Sequence, residues 1–290
     1  MIELVLQALY SGFLQGGSYA LIAFGLALVF GTLKIINLAH GELVLLSAYI
    51  AYTVESRMDV NPVFAIPFAL VLVCLCSVLV YYLLSFIRKD RELNSLILTY
   101  GIAIVLTNAL LMIWSADVRA TTSPWLQEAL VFGPLASMRS ELIFFLVSLI
   151  LMGALWWWLA RSWYGRAVRA VASNREAAKL MGIDPRLTEI LSFVVAGILA
   201  SFAGVALFSY GVIHPPLGEA LTLKAFTITV LAGLGSIPGV MLGSILLGLA
   251  EALTVTFASS ALQDLVGMIL LLIVLFVLPN GLFGVTGGRG

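Results

Sequence analysis

The sequence predicts an all-α membrane protein whose helices form a polytopic transmembrane bundle. Hydrophobic residues make up 62% of the 290 positions and charged residues only 10%, so one soluble core could not bury the apolar surface. Several apolar runs reach the ~18 residues that indicate a membrane-spanning helix. Because the runs are continuous rather than alternating with a period of two, a transmembrane β-barrel is not expected. Residues 1–290 are therefore interpreted as a single membrane domain.

About eight hydrophobic segments are expected to cross or enter the membrane. Seven of them are unbroken, and one long region contains a break near its middle. The predicted segments are Leu4–Thr32, Leu38–Val54, Val63–Ile87, Leu93–Trp114, Leu142–Ala160, Leu187–Tyr210, the broken region Leu221–Phe257, and Leu262–Leu278.

Basic residues are concentrated at one set of predicted helix ends. Ten of the fifteen Lys and Arg residues lie there, namely Lys34, Arg88, Lys89, Arg91 and the six within residues 161–186. Because short cytoplasmic loops are enriched in Lys and Arg, these ends are predicted to be cytoplasmic and the N-terminus to be outside. This charge sets the topology and contacts membrane lipid, and it does not indicate a nucleic-acid partner.

Three polar residues, Asn37, His40 and Glu42, lie where the first segment leads into the second. On a helix Asn37 and His40 would share a face, whereas Glu42 would point away from both. Polar groups near the bilayer are costly, so all three are candidates for a translocation pathway. The alternative is that they cap the turn formed by residues 37–41 near the membrane interface, and the sequence leaves both interpretations open.

The polar stretch from Arg161 to Arg186, called here the cytoplasmic segment, is predicted to contain a short, rigid helix. Ser173 and Glu176 fit a capping box, and Gly182 fits a left-handed helix stop, which gives a helix over residues 174–181. Asp184-Pro185 then begins the next helix. The apolar side of this helix suits either docking in a groove of a partner or resting on lipid headgroups. Its members are Ala177, Ala178, Leu180 and Met181.

The broken region Leu221–Phe257 is too long for a single span and is interrupted by GLGSIPG at Gly233–Gly239. Four helix breakers in this motif predict two half-helices that meet at membrane depth. Irregular backbone is tolerated there only when protein or an aqueous cavity covers it, so the break is a candidate for the pathway. Whether the region is re-entrant or spans the membrane stays open. The candidate residues are Gly233, Gly235, Ser236, Pro238 and Gly239.

Two charged residues flank this break at equal distances along the chain. If the region folds back about Ile237-Pro238, Lys224 and Glu251 lie at a similar depth. A lone buried charge would cost at least ~2.5 kcal/mol, so we expect these two side chains to pair and hold the break in place. The alternative is that Lys224 extends to the outer interface near Glu219.

Small residues recur at helical spacing in three places. Such stripes let helix backbones approach closely in lipid, so they predict packing within the bundle or against another subunit. They are Gly12 with Gly16, Ala196 with Ala200 and Gly204, and Gly235 with Gly239 and Gly243.

Three blocks of the sequence together resemble one family of transport proteins. GRAVRAVASNREAAKLMGI at residues 165–183 is similar to the coupling loop of ABC importer permeases, in the form found in high-affinity branched-chain amino acid permeases. The blocks at residues 18–42 and 224–253 resemble the same family and occur in the family's order. The chain departs from the family pattern at residues 88–94, where a longer basic stretch containing proline is often found.

The resemblance implies the parts of a complete importer. It implies pairing with a second homologous permease subunit, two cytoplasmic ATPase subunits that carry ATP and Mg²⁺, and a periplasmic substrate-binding protein, in the bacterial inner membrane. It also implies that the cytoplasmic segment receives the motion of the ATPases. The residues to which it assigns this coupling are Ser173, Glu176, Ala177, Ala178, Lys179, Leu180 and Gly182.

Other function classes find little support in the sequence. There is no G-x-x-x-x-G-K-[ST] pattern, so ATP hydrolysis is expected on separate subunits, and this chain is expected to bind no cofactor and no metal. An intramembrane enzyme is not favoured, because there are only two His residues and no HExxH or GxSG pattern. A self-sufficient secondary transporter, with Glu42 and Glu251 as proton sites, is a further alternative. Within the family, urea, short amides or other amino acids are alternative substrates.

Overall fold

The computed structural model describes residues 1–87, 89–233, 236–278 and 281–282. Helices account for most of the described residues, as the all-α prediction requires, and twelve α-helices are present among them. They are α1 (Ile2–Leu33), α2 (His40–Met58), α3 (Ile66–Ser85), α4 (Arg91–Trp114), α5 (Pro124–Gln127), α6 (Arg139–Arg161), α7 (Trp163–Ser173), α8 (Arg175–Leu180), α9 (Pro185–Tyr210), α10 (Leu217–Ala232), α11 (Ile237–Phe257) and α12 (Gln263–Val277).

Seven helical stretches in the described residues are long and apolar enough to cross a membrane. Helix α2 is not among them because it carries three charged residues, and α10 is only 16 residues long. Two pairs of short antiparallel strands lie between the helices. They are β1 (Arg119–Ala120) with β4 (Val212–Ile213), and β2 (Ala129–Phe132) with β3 (Leu135–Met138).

The two ends of α1 contact different parts of the chain, one predicted to be outside and the other predicted to be cytoplasmic. Near its N-terminus, Gln7 exchanges hydrogen bonds of 2.7 and 2.9 Å with the backbone of Ala136 in the β2–β3 hairpin. At its other end, Lys34 lines a cavity together with Arg169 of α7. The cytoplasmic segment and Lys34 therefore lie at one end of the bundle, as their charges predict, and the hairpin lies at the other.

Helix α2 begins inside the bundle rather than at its edge. Lys34 ends α1 in the left-handed conformation, with φ 59°, and the chain then turns back between the helices. His40, the first residue of α2, places Nε2 2.9 Å from the Ile22 carbonyl oxygen, about two-thirds of the way along α1. Ile35 and Ala39 in the returning stretch are fully buried. Other parts of the chain therefore cover this irregular backbone. Such cover is needed because the bilayer core contains no water to hydrogen-bond free backbone groups.

Helix α9 forms the centre of the fold, between α2 and α3. A Cβ atom on Gly204 would collide with the Val44 carbonyl oxygen of α2, and one on Gly197 would press on Cys74 of α3. Ser77 of α3 also donates a 2.7 Å hydrogen bond to the Phe193 carbonyl oxygen. The small-residue stripe of α9 therefore packs inside the chain, which is one of the two predicted uses of such stripes.

Helices α10 and α11 form a re-entrant pair. Helix α11 runs antiparallel to α1, because Gly248 packs on Gly12 while Ile245 packs on Gly16. Val255, in its last turn, lines a cavity with Leu4, near the predicted outer end of α1. The chain enters α10 from the β1–β4 pair, which follows the outer end of α9. The chain therefore enters this region from the predicted outer end of the bundle and leaves toward the same end, which supports the re-entrant alternative of the two that the sequence left open.

Helix α12 then packs antiparallel to α11. Gly267 lies against Leu247, and the Leu282 amide donates a 2.9 Å hydrogen bond to the Leu231 carbonyl oxygen at the end of α10. The chain therefore returns from the outer side to the level of the break at Gly233.

Candidate coupling element and translocation pathway

The cytoplasmic segment contains two helices where the sequence predicted one. Helix α7 packs against α1, α6 and α9 and buries four side chains at the spacing i, i+3, i+4 and i+7. This spacing is visible in the sequence and could have revealed α7. The four residues are Tyr164, Ala167, Val168 and Val171.

The predicted capping box at Ser173 is wrong. Ser173 is the last residue of α7, and Asn174, in extended conformation, caps α8. The Asn174 Oδ1 atom accepts hydrogen bonds from the amides of Glu176 (3.1 Å) and Ala177 (3.0 Å). A residue that still has helical geometry in α7 cannot be the N-cap of the next helix, because an N-cap residue leaves the helical conformation. Helix α8, Arg175–Leu180, is accordingly shorter than predicted.

The end of α8 and the start of α9 agree with the predictions. Gly182 has φ 81°, the left-handed conformation that stops the helix, and its amide donates to the Lys179 carbonyl oxygen at 3.1 Å. Asp184 Oδ1 accepts a 2.9 Å hydrogen bond from the Arg186 amide, and Pro185 occupies the first position of α9. Helix α8 is therefore fixed at both ends by sharp corners.

The tip of α8 presents an apolar surface outside the membrane-spanning helices. Leu180 is 88% exposed and Met181 is 82% exposed, whereas Ala178 is buried against the rest of the chain. The charged neighbours Glu176 and Lys179 are also exposed. Two large apolar side chains held by rigid corners form a surface that a partner protein can bind.

A buried carboxylate that the sequence analysis missed ties α8 to the membrane helices. Glu189 of α9 is only 2% exposed and accepts a 2.9 Å hydrogen bond from Arg175 Nε of α8. Arg91 of α4 lies 3.6 Å from the same carboxylate, and the Tyr81 hydroxyl of α3 donates to it at 3.1 Å. The hydrogen bond to Glu189 raises the pKa of the Arg175 guanidinium, which therefore stays charged at neutral pH. We call these four residues the Glu189 network.

One signal for this network is present in the sequence. Glu189 is the first acidic residue after Asp184-Pro185 and lies about one turn into an apolar helix, where a lone charge would be costly. Its partners come from three other helices, so the sequence could indicate a need for a partner without identifying one.

The first three pathway candidates occupy different positions around the start of α2. Asn37 is buried, and its Oδ1 accepts a 3.1 Å hydrogen bond from the Ala39 amide, so it caps the turn as one interpretation proposed. His40 contacts α1 through Ile22, deep in the bundle rather than at the interface. Glu42 faces a different direction and lines a cavity between α2, α4 and α10.

The expected pairing of Lys224 with Glu251 is confirmed. Lys224 Nζ lies 3.1 Å from Glu251 Oε2 across the re-entrant helices, and we call this the hairpin ion pair. The Tyr19 hydroxyl (2.6 Å) and Gln263 Nε2 (2.7 Å) donate to the same carboxylate oxygen. Lys224 also lies 3.1 Å from the largely exposed Asp264. Four helices, α1, α10, α11 and α12, therefore contribute to the polar cluster around Glu251.

The described part of the break has glycine-specific geometry. Gly233 has φ 90° and is buried, and Ser236 Oγ accepts a 3.3 Å hydrogen bond from the Gly239 amide to cap α11. A Cβ atom on Gly239 would collide with the Ala232 carbonyl oxygen. Pro238 lies in the first turn of α11. Gly235 lies outside the residues that the structure describes.

These features define a class of protein. A helical membrane bundle with a re-entrant helix pair, an ion pair that joins these two helices, and a capped, apolar-tipped helix at the basic end is the architecture of a membrane permease. Residues 8–278 match the family described as the permease component of branched-chain amino acid transport systems. The chain belongs to this family, and it is a multi-pass protein of the inner membrane.

Individual relatives agree with the family assignment. The chain is 34% identical to the high-affinity branched-chain amino acid transport system permease protein BraD of Pseudomonas aeruginosa, over 96% of this chain and 95% of the relative. It is 33% identical to LivH of Escherichia coli K12 over the same shares. It is also 28% identical, over 86% of the chain and 75% of the relative, to the fructose import permease protein FrcC of Rhizobium meliloti.

A solved structure shares the fold. The complex described as PsaBC from Streptococcus pneumoniae with Fab contains a chain that matches with a TM-score of 0.53, over 97% of both chains. Sequence identity is 13%, so this likeness concerns the architecture alone.

Proposed function

We propose that this chain translocates branched-chain amino acids across the inner membrane as the permease subunit of an ATP-driven importer. The proposal is supported by the family match over residues 8–278 and by the relatives named as branched-chain amino acid permeases. Transport follows alternating access, in which the pathway opens first to the periplasm and then to the cytoplasm. The chain acts as a transport subunit and not as an enzyme.

The proposed assembly contains a second homologous permease, two cytoplasmic ATPases and a periplasmic binding protein. ATP and Mg²⁺ bind to the ATPases, and this chain binds no cofactor of its own. The observation that carries the proposal is the tip of α8, where Leu180 and Met181 are exposed at the end of a helix with two fixed corners. An apolar anchor of this kind fits a groove of a cytoplasmic partner.

The Glu189 network links movement of the ATPases to the membrane helices. Displacement of α8 pulls on Arg175, whose 2.9 Å hydrogen bond to Glu189 transmits it to α9. Because the same carboxylate contacts Arg91 and Tyr81, helices α4 and α3 move with α9 rather than independently. The remaining coupling residues, Ser173, Glu176, Ala177, Ala178, Lys179 and Gly182, shape or flank this element.

The test replaces one anchor of α8 and measures ATPase binding. In the complex expressed with its partner subunits, Leu180→Asp should strongly reduce co-purification of the ATPases and ATP-driven leucine uptake in proteoliposomes. Val131→Asp on the outer hairpin is the matched control, because Val131 is 68% exposed at the opposite end of the bundle. It should leave ATPase co-purification unchanged. Normal ATPase binding and uptake by Leu180→Asp would contradict the proposed docking site.

The substrate and the energy source have separate tests. Urea, short amides or other amino acids are alternative substrates, and the relative FrcC is named for fructose import. Ligand binding by the periplasmic binding protein of the same system distinguishes them. A secondary transporter would take up substrate in proteoliposomes that contain this chain without ATPases, and such uptake would refute the ATP-driven mechanism.

A further inference from the structure

A cavity of about 300 Å³ lies between α2, α4 and α10. This volume is at the lower end of the range found for small-molecule sites. Its walls are mainly apolar and include Tyr100 and Ile104 of α4 and Leu223 of α10. The polar groups are those of Glu42 at the start of α2, Glu219 and Asn108, together with the hydroxyls of Thr107 and Thr222. We call it the Glu42 cavity.

The carboxyl groups that line the Glu42 cavity have no basic side chain beside them in the lining. Glu42 and Glu219 are its two charged lining residues, and no Lys or Arg is among the residues that line it. Glu42 is 1% exposed, and its Oε2 atom has no hydrogen-bond partner within the part of the chain that the structure describes. A buried carboxylate oxygen without a donor is costly, so this position favours a positively charged or hydrogen-donating ligand.

The backbone around Glu42 is built to keep its carboxylate in place. A Cβ atom on Gly218 of α10 would collide with the Glu42 carboxylate, and one on Gly41 would collide with the Gly218 carbonyl oxygen. The Gly41 amide also donates a 2.9 Å hydrogen bond to Thr222 Oγ1 of α10. Helices α2 and α10 therefore approach closely beside the carboxylate, and only glycine permits this approach.

Polar side chains lie at the open side of the cavity, as they would along an aqueous pathway. Asn108 and Glu219 are exposed beside Tyr100 and Ile104, on a face of α4 and α10 that the rest of the chain leaves uncovered. A carboxylate and an amide on a lipid-facing surface are unfavourable, and polar groups of membrane helices face bundle interiors or water-filled cavities. The cavity thus combines access for a solute with an apolar wall and a carboxylate.

We propose that the Glu42 cavity binds a zwitterionic amino acid with an apolar side chain, whose α-ammonium group pairs with Glu42. The apolar walls accept the side chain, and Glu219 adds negative charge at the entrance. Glu42 is then a specificity-determining residue of the pathway. This inference rests on the proposed function, since it names the membrane site through which that substrate passes.

The first experiment measures ATP-driven uptake of radiolabelled leucine by the complete complex in proteoliposomes. Glu42→Gln keeps the shape of the side chain and removes its charge, so uptake should fall about tenfold or more, as expected for loss of a charged hydrogen bond. ATP hydrolysis stimulated by the binding protein should continue. The matched control Glu92→Gln changes an exposed glutamate on α4 that does not line the cavity, and it should transport normally.

The second experiment reports on the cavity without transport. A thiol is introduced by Ala103→Cys in the cavity wall, in a background where Cys74 and Cys76 are replaced by alanine. The cationic reagent MTSEA should modify it about tenfold or more faster than the anionic reagent MTSES, relative to a free thiol in solution. Adding Glu42→Gln should reduce this preference, and leucine with its binding protein should slow the reaction.

The possible outcomes test the ammonium site at Glu42 separately from the proposed ATP-driven import. Normal leucine uptake by Glu42→Gln, or equal reactivity of the two reagents in protein that keeps Glu42, would overturn the proposed ammonium site while leaving the importer intact. The reagent comparison applies even when Glu42→Gln fails to assemble, because it uses the native glutamate. Absence of ATP-driven leucine uptake by the wild-type complex would instead refute the proposed function, and the amino-acid ligand with it.

Discussion

Replacing Glu189 by glutamine should uncouple ATP hydrolysis from transport. The Glu189 carboxylate forms ion pairs with Arg175 at 2.9 Å and Arg91 at 3.6 Å, and it accepts a 3.1 Å hydrogen bond from the Tyr81 hydroxyl. Hydrogen bonds to charged groups contribute ~1.5–3 kcal/mol each, but Arg175 is 42% exposed, so solvent reduces its share to ~1 kcal/mol. Removing the buried charge leaves two guanidinium groups without their shared partner, at a total cost of ~3 kcal/mol.

A cost of this size changes the position of α8 relative to the membrane helices. About 3 kcal/mol corresponds to roughly a hundredfold shift between the attached and detached positions of α8. The measurement is the number of leucine molecules transported per ATP hydrolysed in proteoliposomes. Glu189→Gln should lower this ratio at least tenfold, with ATP hydrolysis retained. Tyr81→Phe should lower it less, because it removes a single hydrogen bond of ~1.5 kcal/mol and leaves both arginine contacts in place.

The control for this prediction is an exposed carboxylate at the same end of the bundle. Glu92 lies beside Arg91 in the first turn of α4 but makes no ion pair among the described residues. Glu92→Gln should therefore keep the wild-type ratio and the wild-type thermal unfolding midpoint. If Glu189→Gln also transports leucine at the wild-type ratio, the reasoning that the network carries the motion of the ATPases is refuted.

Three further predictions concern the helix cap, the central packing and the hairpin ion pair. Asn174→Ala should weaken α8 by ~1 kcal/mol and reduce ATPase co-purification, whereas Ser173→Ala should change neither. Gly204→Ala should destabilise the purified complex by ~2 kcal/mol in thermal unfolding, because its Cβ would collide with α2; Gly101→Ala, with nothing within 4 Å, should not destabilise it. Exchanging both charges of the hairpin ion pair should retain more leucine uptake than either single reversal, and equal failure of all three variants would remove its proposed role.

Local signals in the sequence were sufficient for the features that depend on neighbouring residues. Gly182 and Asp184-Pro185 act within one helical turn, so their residue types alone predicted the stop and the start that the structure contains. The cap of α8 was misplaced by one residue because Ser173 and Asn174 are both good N-caps. The choice between them depends on where α7 ends, and α7 is held by packing against α1, α6 and α9.

Features that join distant parts of the chain were only partly predictable. The hairpin ion pair could be predicted because the break itself fixes which residues lie opposite each other. The Glu189 network could not, since its members come from four helices whose contacts are set by packing. The inward return of residues 35–39 was likewise missed, because apolar residues in that stretch extend the neighbouring spans without marking the turn.

Helix α9 connects the coupling element to the Glu42 cavity. At its cytoplasmic end it carries Glu189, which is tied to α8. Farther along, Gly204 packs against the backbone of α2, and Ser47 of α2 donates a 2.6 Å hydrogen bond to the Ser201 carbonyl oxygen. Helices in such close contact are expected to move together. A tightly packed interface changes between discrete arrangements and does not deform continuously, so a small shift of one helix is not absorbed at the contact. Under the proposed coupling, a displacement of α8 is therefore transmitted through α9 to α2, the helix that carries Glu42.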